Sequence, residues 1–181
     1  MTSSAETHGA RPVWMRAGFA SRADRAEATV SDVSPIPSLE ALAEEFKAYD
    51  RSERAEMLID YADRFVEVPP EVASRPFPET HRAPRCESDA FIWAVDQPDG
   101  SLKFHFAVEN PQGLSAKAWA VIVDETMSGR PLEEIAGTSG EAIFRIFGSD
   151  LSMGKGQGLL GMLDLVQHEA KKRLAARRGA G

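Results

Sequence analysis

The chain has 181 residues, a formal net charge of −7 and 43% hydrophobic residues, which is the composition of a globular protein with one domain. The negative charge argues against nucleic-acid binding, and no apolar run approaches the roughly 18 residues of a membrane span. The single cysteine, Cys86, cannot form an internal disulfide or supply the thiolates of a zinc or iron–sulfur site, so no metal site is expected. The reducing cytoplasm is the expected compartment.

The N-terminal part differs in composition from the rest. Residues 1–34 mix Ser, Ala, Thr and Gly with scattered charge and show no sustained periodicity, which predicts a disordered extension. They contain no continuous apolar stretch, so a secretory signal is not expected. Pro35 and Pro37 then mark the start of a domain predicted over residues 35–176, followed by a flexible tail at 177–181.

Two amphipathic helices are predicted at the start of this domain. Ser38 is an N-cap candidate for a helix with an apolar side formed by Leu39, Leu42, Phe46 and Tyr49. Asp50 and Glu53 have the spacing of a capping box that opens a second helix. Pro69 and Pro70 end that helix, because proline lacks an amide proton and disfavours helix in the residue before it.

A proline-rich loop and a hairpin follow. Residues 68–86 are predicted to form a long extended loop, and loops of that length are often functional. An apolar run at 91–95 and a segment at 102–108 in which apolar and polar residues alternate flank a Gln97-Pro98-Asp99-Gly100 turn and predict an antiparallel hairpin. His105 falls on the wetter face of the second strand, either as an ordinary surface histidine or as a base or ligand.

The C-terminal half is predicted to be helical. Residues 114–127 are apolar nearly all round, and their length and alanines favour a buried helix. The run 152–158 looks at first like a phosphate loop, but Gly148 and Gly154 are separated by five residues rather than four, and Gly156 replaces the required hydroxyl. Ser152 is instead predicted to cap a final helix.

Cys86 is the candidate reactive residue. A cysteine acts as a nucleophile in its thiolate form, and neighbouring cations stabilise that anion. Arg85 is adjacent, and Arg82 and His81 lie within reach if the loop bends, so all three are candidate thiolate stabilisers. The alternative is that Cys86 is a buried, unreactive small side chain.

Residues from about 38 to 174 resemble the SufE family of sulfur acceptors. One similarity is Arg82-Ala83-Pro84-Arg85-Cys86-Glu87-Ser88 leading into Phe91-Ile92-Trp93, where the family has a Val-x-Gly-Cys-Gln-Ser stretch before an aromatic strand. The other is residues 151–162, similar to the family's Leu-Ser/Thr-x-x-Arg-x-x-Gly-Leu-x-x-Met. Arg85, Glu87 and Lys155 depart from the family pattern. The resemblance implies an α+β fold, similar to SufE and IscU, with an antiparallel three-stranded sheet packed against helices.

The resemblance also implies a function. Cys86 would take persulfide sulfur from a cysteine desulfurase, thereby activating that enzyme, and relay the sulfur to an iron–sulfur cluster scaffold. Pyridoxal phosphate would belong to the desulfurase, with no cofactor in this chain, and Lys155 would be a partner contact. The chain would be an accessory carrier rather than a stand-alone enzyme, and a monomer or weak dimer. The alternatives are a non-catalytic interaction domain and a cysteine-dependent thiol enzyme.

Overall fold

The structure is a computed structural model that describes residues 38–149 and 151–179. These residues belong to one compact unit, Ile36–Gly181. The extension predicted at 1–34 lies outside the described residues. The elements, in chain order, are α1 (Leu39–Glu45), a 3₁₀ turn (Phe46–Ala48), α2 (Arg51–Asp63), a second 3₁₀ turn (Glu79–His81), β1 (Ala90–Asp96), β2 (Leu102–Val108), α3 (Leu114–Met127), α4 (Leu132–Ala136), α5 (Glu141–Phe147) and α6 (Met153–Gly179).

The first two helices begin where the capping residues predict. Ser38 Oγ accepts a hydrogen bond from the Ala41 amide at 3.1 Å. The Asp50 carboxylate accepts from the amides of Ser52 and Glu53, and the Glu53 carboxylate accepts from the Asp50 amide at 2.9 Å. The predicted capping box is therefore confirmed, and it satisfies amides that would otherwise lack partners at the start of α2.

The predicted hairpin is also confirmed. Strands β1 and β2 pair antiparallel, with Trp93 opposite His105. Because side chains alternate along a strand, the hairpin has two faces. Its inner face, which includes Ile92 and Phe104, packs in the main core with the fully buried Trp119 of α3. Its outer face joins a second cluster, composed of Val68, Phe77, Phe91, Trp93 and Ala107.

The sheet has two strands in the described part of the chain, so the expectation of three strands is wrong there. The outer edge of β2 receives two isolated backbone bonds, from the Val68 amide to the Phe106 carbonyl at 2.7 Å and from the Gly129 amide to the Leu102 carbonyl at 2.9 Å. The outer edge of β1 meets an isolated bridge from Arg82. Pro69, Pro70 and Pro84 follow the contacts of Val68 and Arg82 and have no amide hydrogen, so neither of those segments continues as a strand.

The last helix packs against the hairpin up to its final turns. Arg173 of α6 donates to the Asp96 carboxylate at 3.1 Å, and Arg177 donates to the Gly100 carbonyl at 2.5 Å. Residues 177–179, predicted as part of a flexible tail, are the end of α6, and Arg177 among them contacts the hairpin turn. No helix within 38–149 or 151–179, including α6, is both long and apolar enough to cross a membrane.

Candidate functional site

Residues 83–89, here called the cysteine loop, are fixed to the hairpin at both ends. The Ala83 amide donates to the Ala90 carbonyl at 2.7 Å. At the other end, the carbonyls of Ser88 and Asp89 accept from the amides of Asn110 and Glu109, each at 3.1 Å. The segment between these anchors makes one backbone bond within the loop, from the Asp89 amide to the Cys86 carbonyl at 3.2 Å. The middle of the loop is thus held less firmly than its ends.

The backbone of the loop turns inward through two unusual conformations. Arg85 has φ 60° and Asp89 has φ 49°, both in the left-handed region. Aspartate enters this region more readily than most residues, whereas for a long side chain such as Arg85 it costs about 1–2 kcal/mol. These turns carry Cys86 into the main core, where it is 6% exposed.

Two glycines of α6 make room for the loop. A Cβ atom on Gly158 would lie 3.2 Å from the Cys86 Cα and 3.5 Å from its Sγ. A Cβ atom on Gly161 would lie 2.1 Å from the Pro84 carbonyl oxygen, which is far too close for any real side chain. The cysteine loop can therefore pack directly on α6 only because both positions lack a side chain.

Cys86 borders a polar cavity of about 280 Å³ between the loop, α3 and the first turns of α6. The polar residues that line it are Glu87, Ser88, Asn110, Gln112, Ser115 and Lys155. Lys155 is exposed, and its ammonium group has no hydrogen bond or ion pair to any residue that the structure describes. The thiol is thus buried, and the space beside it is lined by two opposite charges, the Lys155 ammonium group and the Glu87 carboxylate.

The two arginines of the loop are paired with carboxylates. Arg85 Nη2 lies 3.6 Å from Oδ2 of Asp164 in α6, and both side chains are largely exposed. Arg82 pairs with Asp89 and with Glu79, and the hydrogen bond to Asp89 is the main cause that raises the pKa of Arg82. Among the described residues, neither guanidinium group makes a hydrogen bond to Cys86. The Arg82–Asp89 pair joins the two ends of the loop, the exposed Arg85–Asp164 pair contributes little to its stability, and a direct role of either arginine at the thiol stays a prediction.

His81 packs against the cluster on the outer face of the hairpin. Its Nδ1 lies 2.8 Å from the Ile92 carbonyl, which can only accept, so Nδ1 carries the proton of that bond. Its ring stacks on Trp93 with centroids 5.3 Å apart. Cys86 belongs to the main core, so the structure does not bring His81 to the thiol through any described contact.

His105 lies on the outer face opposite Trp93 and is half-buried. Burial, and next the nearby Lys103, lower the pKa of His105 below its ordinary value. Within the described residues there is no group of three or more His, Cys, Asp or Glu side chains that could hold a metal ion.

Comparison with known proteins identifies the family. The sequence model of the SufE family, described as an Fe-S metabolism associated domain, matches residues 40–170. The chain belongs to the SufE family. The match includes the cysteine loop, the polar cavity and the glycines of α6, so the site described above lies wholly inside the SufE domain.

A solved structure shows the same fold. The chain is similar to a hypothetical protein from Thermus thermophilus, known from a solution structure, with 24% identity and a TM-score of 0.61. The similarity covers 77% of this chain and 97% of that one. At this identity the likeness supports the α+β fold alone. No match was found among the curated proteins.

The SufE site contains residues that the sequence analysis did not single out. Gly161 comes from α6, and the cavity-lining Asn110, Gln112 and Ser115 come from the connection between β2 and α3 and the first turn of α3, so no sequence motif joins the two groups. Gly158 and Gly161 did carry a signal, because small residues three apart on a helix mark a face that something approaches closely. What approaches that face depends on the tertiary fold.

Proposed function

We propose that Cys86 accepts sulfur from the persulfide of a cysteine desulfurase and carries it to an iron–sulfur cluster scaffold. Membership of a family associated with Fe-S metabolism supports this proposal. The observation that carries it is the position of Cys86, a single thiol that lies on a loop between two anchors and borders a polar cavity. The chain acts as a carrier, and pyridoxal phosphate belongs to the desulfurase.

The transfer is a thiol exchange without net oxidation or reduction. The Cys86 thiolate attacks the terminal sulfur of the desulfurase persulfide, and a new S–S bond forms. The original S–S bond breaks, and its electron pair leaves on the desulfurase cysteine as a thiolate. That cysteine is then free for another turnover, which is how sulfur removal activates the desulfurase.

Movement of the cysteine loop makes this exchange possible. A thiol that is 6% exposed cannot contact a sulfur atom on another protein without moving. The backbone bonds at Ala83, Ser88 and Asp89 fix the ends of the loop, so the segment around Cys86 can swing as a unit. The strained conformation of Arg85 in the closed form reduces the free-energy cost of opening.

The closed position suits the loaded carrier. A persulfide extends the side chain by one sulfur atom, and the 280 Å³ cavity beside Cys86 has room for it. Shelter from solvent slows further oxidation of the sulfur. Lys155, which borders this cavity, stabilises the negative charge of a thiolate or persulfide.

The experiment that tests the proposal measures the mass of the intact protein after incubation with a cysteine desulfurase and free cysteine. The wild type is expected to gain about 32 Da, one sulfur atom, that a thiol reductant removes. The matched control is Cys86→Ser, which is expected to gain none. An unmodified wild type that still binds the desulfurase would contradict the proposal and favour a non-catalytic interaction domain.

A further inference from the structure

A second cavity, of about 300 Å³, is lined by the end of α2 and the segment that follows it, by the middle of β2 and by the second half of α3. Its lining includes residues 64–67, residues 103–106 and Asp124. It shares no lining residue with the cavity beside Cys86. The proposed sulfur transfer does not use this second cavity, and the inference below does not rest on that transfer.

The main chain of β2 forms part of the cavity wall. The carbonyls of Ile92 and Ala94 in β1 accept hydrogen bonds from side chains outside the hairpin, and Phe106 and Phe104 lie opposite these two residues in β2. Directly opposite residues of an antiparallel pair either bond to each other or both point their main-chain groups outward. Phe104 and Phe106 therefore direct theirs toward the open edge of β2. Their side chains pack in the main core, so their main chain lines the cavity.

Two of these main-chain groups lack a partner. The Phe104 amide donates to Ser128 Oγ at 2.9 Å, and the Phe106 carbonyl accepts from the Val68 amide at 2.7 Å. The Phe104 carbonyl and the Phe106 amide lie between these bonds, and neither makes a hydrogen bond to any residue that the structure describes. Phe104 is 1% exposed and Phe106 is 4% exposed. Buried main-chain groups are nearly always paired, so these two are expected to bind something inside the cavity.

The gap between the two bonds has the length of one amino-acid unit. In a parallel sheet, the carbonyl of one residue and the amide of the second residue after it bond to the N–H and the C=O of a single residue in the next strand. A longer strand cannot lie here, because Val68 already occupies the edge at Phe106 and Ser128 occupies it at Phe104. The ligand therefore ends on both sides of that one unit.

The cavity also carries charges of both signs. Lys103 pairs with Asp124, Arg64 pairs with Glu125, and all four side chains line the cavity. A carboxylate accepts several hydrogen bonds and a lysine or arginine donates several, so each of these groups can bind a further partner. A ligand with one cationic and one anionic end would satisfy both kinds of group, whereas a neutral peptide unit would not.

We propose that this cavity binds a free α-amino acid, whose ammonium and carboxylate groups take the places of the N–H and C=O of a strand residue. The ammonium group donates to the Phe104 carbonyl, and the carboxylate accepts from the Phe106 amide. Asp124 lies at the end that receives the ammonium group, because it accepts from Ser128 Oγ at 2.6 Å and Ser128 also binds the Phe104 amide. The apolar part of the lining, which includes Val121, suits a small apolar side chain.

The first test compares L-valine with N-acetyl-L-valine amide, which has the same side chain and no charged ends. Binding is measured by titration calorimetry with the full chain, and the site is identified by the Phe106 amide signal in proton–nitrogen correlation spectra. L-Valine is expected to bind with a Kd of about 1 mM or tighter and to shift that signal, and the capped compound to do neither. The proposal is overturned if neither L-valine nor L-alanine binds, if binding leaves the Phe106 signal in place, or if the capped compound binds equally well.

The second test removes the charge at the Phe104 end of the gap. Asp124→Asn keeps an oxygen that accepts from Ser128 but loses the negative charge, so the Kd for L-valine is expected to rise at least about tenfold. The matched control is Asp60→Asn at an exposed position of α2, which should leave the Kd within about twofold. An unchanged Kd in folded Asp124→Asn, or an equal loss in Asp60→Asn, would overturn the proposal. The comparison of the two ligands needs no variant, so it decides the matter if Asp124→Asn does not fold.

Discussion

The inner and outer faces of the hairpin use the same stretch of chain for different purposes. On the outer face, the loop before β1 packs the Phe77 ring against the strands. The centroid of this ring lies 5.1 Å from that of Trp93 and 5.4 Å from that of Phe91. On the inner face, the same loop continues to Cys86 and meets the backbone of α6 at Gly158 and Gly161. The outer face is packed with large side chains, and the inner face has room at the cysteine.

This difference separates stability from reactivity. Large rings that interlock in one cluster hold the loop on the hairpin and resist movement. A loop that rests on glycines, between two anchors and with an exposed ion pair to Asp164, can lift without disturbing a large apolar area. Substitutions on the outer face should therefore lower stability with little change in access to the thiol. Substitutions on the inner face should lower stability less and change access to the thiol more.

The largest loss of stability is expected on the outer face. Phe77→Ala removes a 9% exposed ring that contacts two other aromatic residues, so the free energy of unfolding should fall by about 3 kcal/mol. Below the unfolding transition, Cys86 should still accept sulfur at the wild-type rate. Urea denaturation and desulfurase loading measure the two effects, with the exposed Val66→Ala as control. A stable Phe77→Ala with slow loading would remove the distinction between the faces.

A smaller loss of stability and a larger change in access are expected on the inner face. Gly161→Ala places a methyl group where the Pro84 carbonyl lies, so the loop must lift, at a cost of about 2 kcal/mol. Alkylation of Cys86 by iodoacetamide should become about tenfold faster. Gly179→Ala, on the same helix with nothing within 4 Å, is the matched control and should change neither quantity appreciably. Unchanged alkylation in Gly161→Ala would show that the glycine does not seat the loop.

His81→Ala tests which face this histidine serves. The variant loses the stacking on Trp93 and the bond to the Ile92 carbonyl, so stability should fall by about 1 kcal/mol. Sulfur loading of Cys86 should be unchanged, because no described contact joins the two residues. The exposed His168→Ala is the control. Slow loading together with wild-type stability would instead support the prediction that His81 stabilises the thiolate.

The smallest effect is a pH dependence from His105. Burial lowers the pKa of His105 in the folded state, so the unfolded chain binds a proton more readily. Stability should therefore fall as the pH decreases through about 6.5, the ordinary histidine value, and level off below the folded-state pKa. Thermal unfolding between about pH 7.5 and pH 5 checks this, and His105→Gln should show a shallower fall. An equally steep fall in His105→Gln would assign the dependence to other groups.

Local features of the fold were predictable from sequence. The caps at Ser38 and Asp50 and the alternation in β2 act over a few residues, so they are visible in the chain itself. The number of strands was not predictable. It depends on whether the segments that lie along the two outer edges of the sheet can donate a continuous series of backbone hydrogen bonds. The prolines that follow Val68 and Ala83 limit each edge to isolated bonds, and only the tertiary structure shows that these segments lie at the edges.

The candidate site was predictable only in part. Cys86 was identified because it is the single cysteine in a polar loop that resembles a family motif. Closeness in sequence was a poorer guide. His81 is only five residues from Cys86, but it packs on the outer face of the hairpin, whereas Cys86 lies in the main core. The chain crosses from one face of the hairpin to the other between these two residues. Lys155 and Gly161 reach the site from α6, so sequence distance gave no indication of their closeness to the loop.

The most direct test of the central claim compares two rates at Cys86 in the native wild-type protein. One is alkylation by iodoacetamide alone, and the other is sulfur loading by a desulfurase supplied with cysteine. The account predicts slow alkylation, because the thiol is buried, and fast loading, because the docked donor opens the loop. A thiol that alkylates as fast as a free cysteine peptide, and that gains no sulfur from the desulfurase, would contradict it.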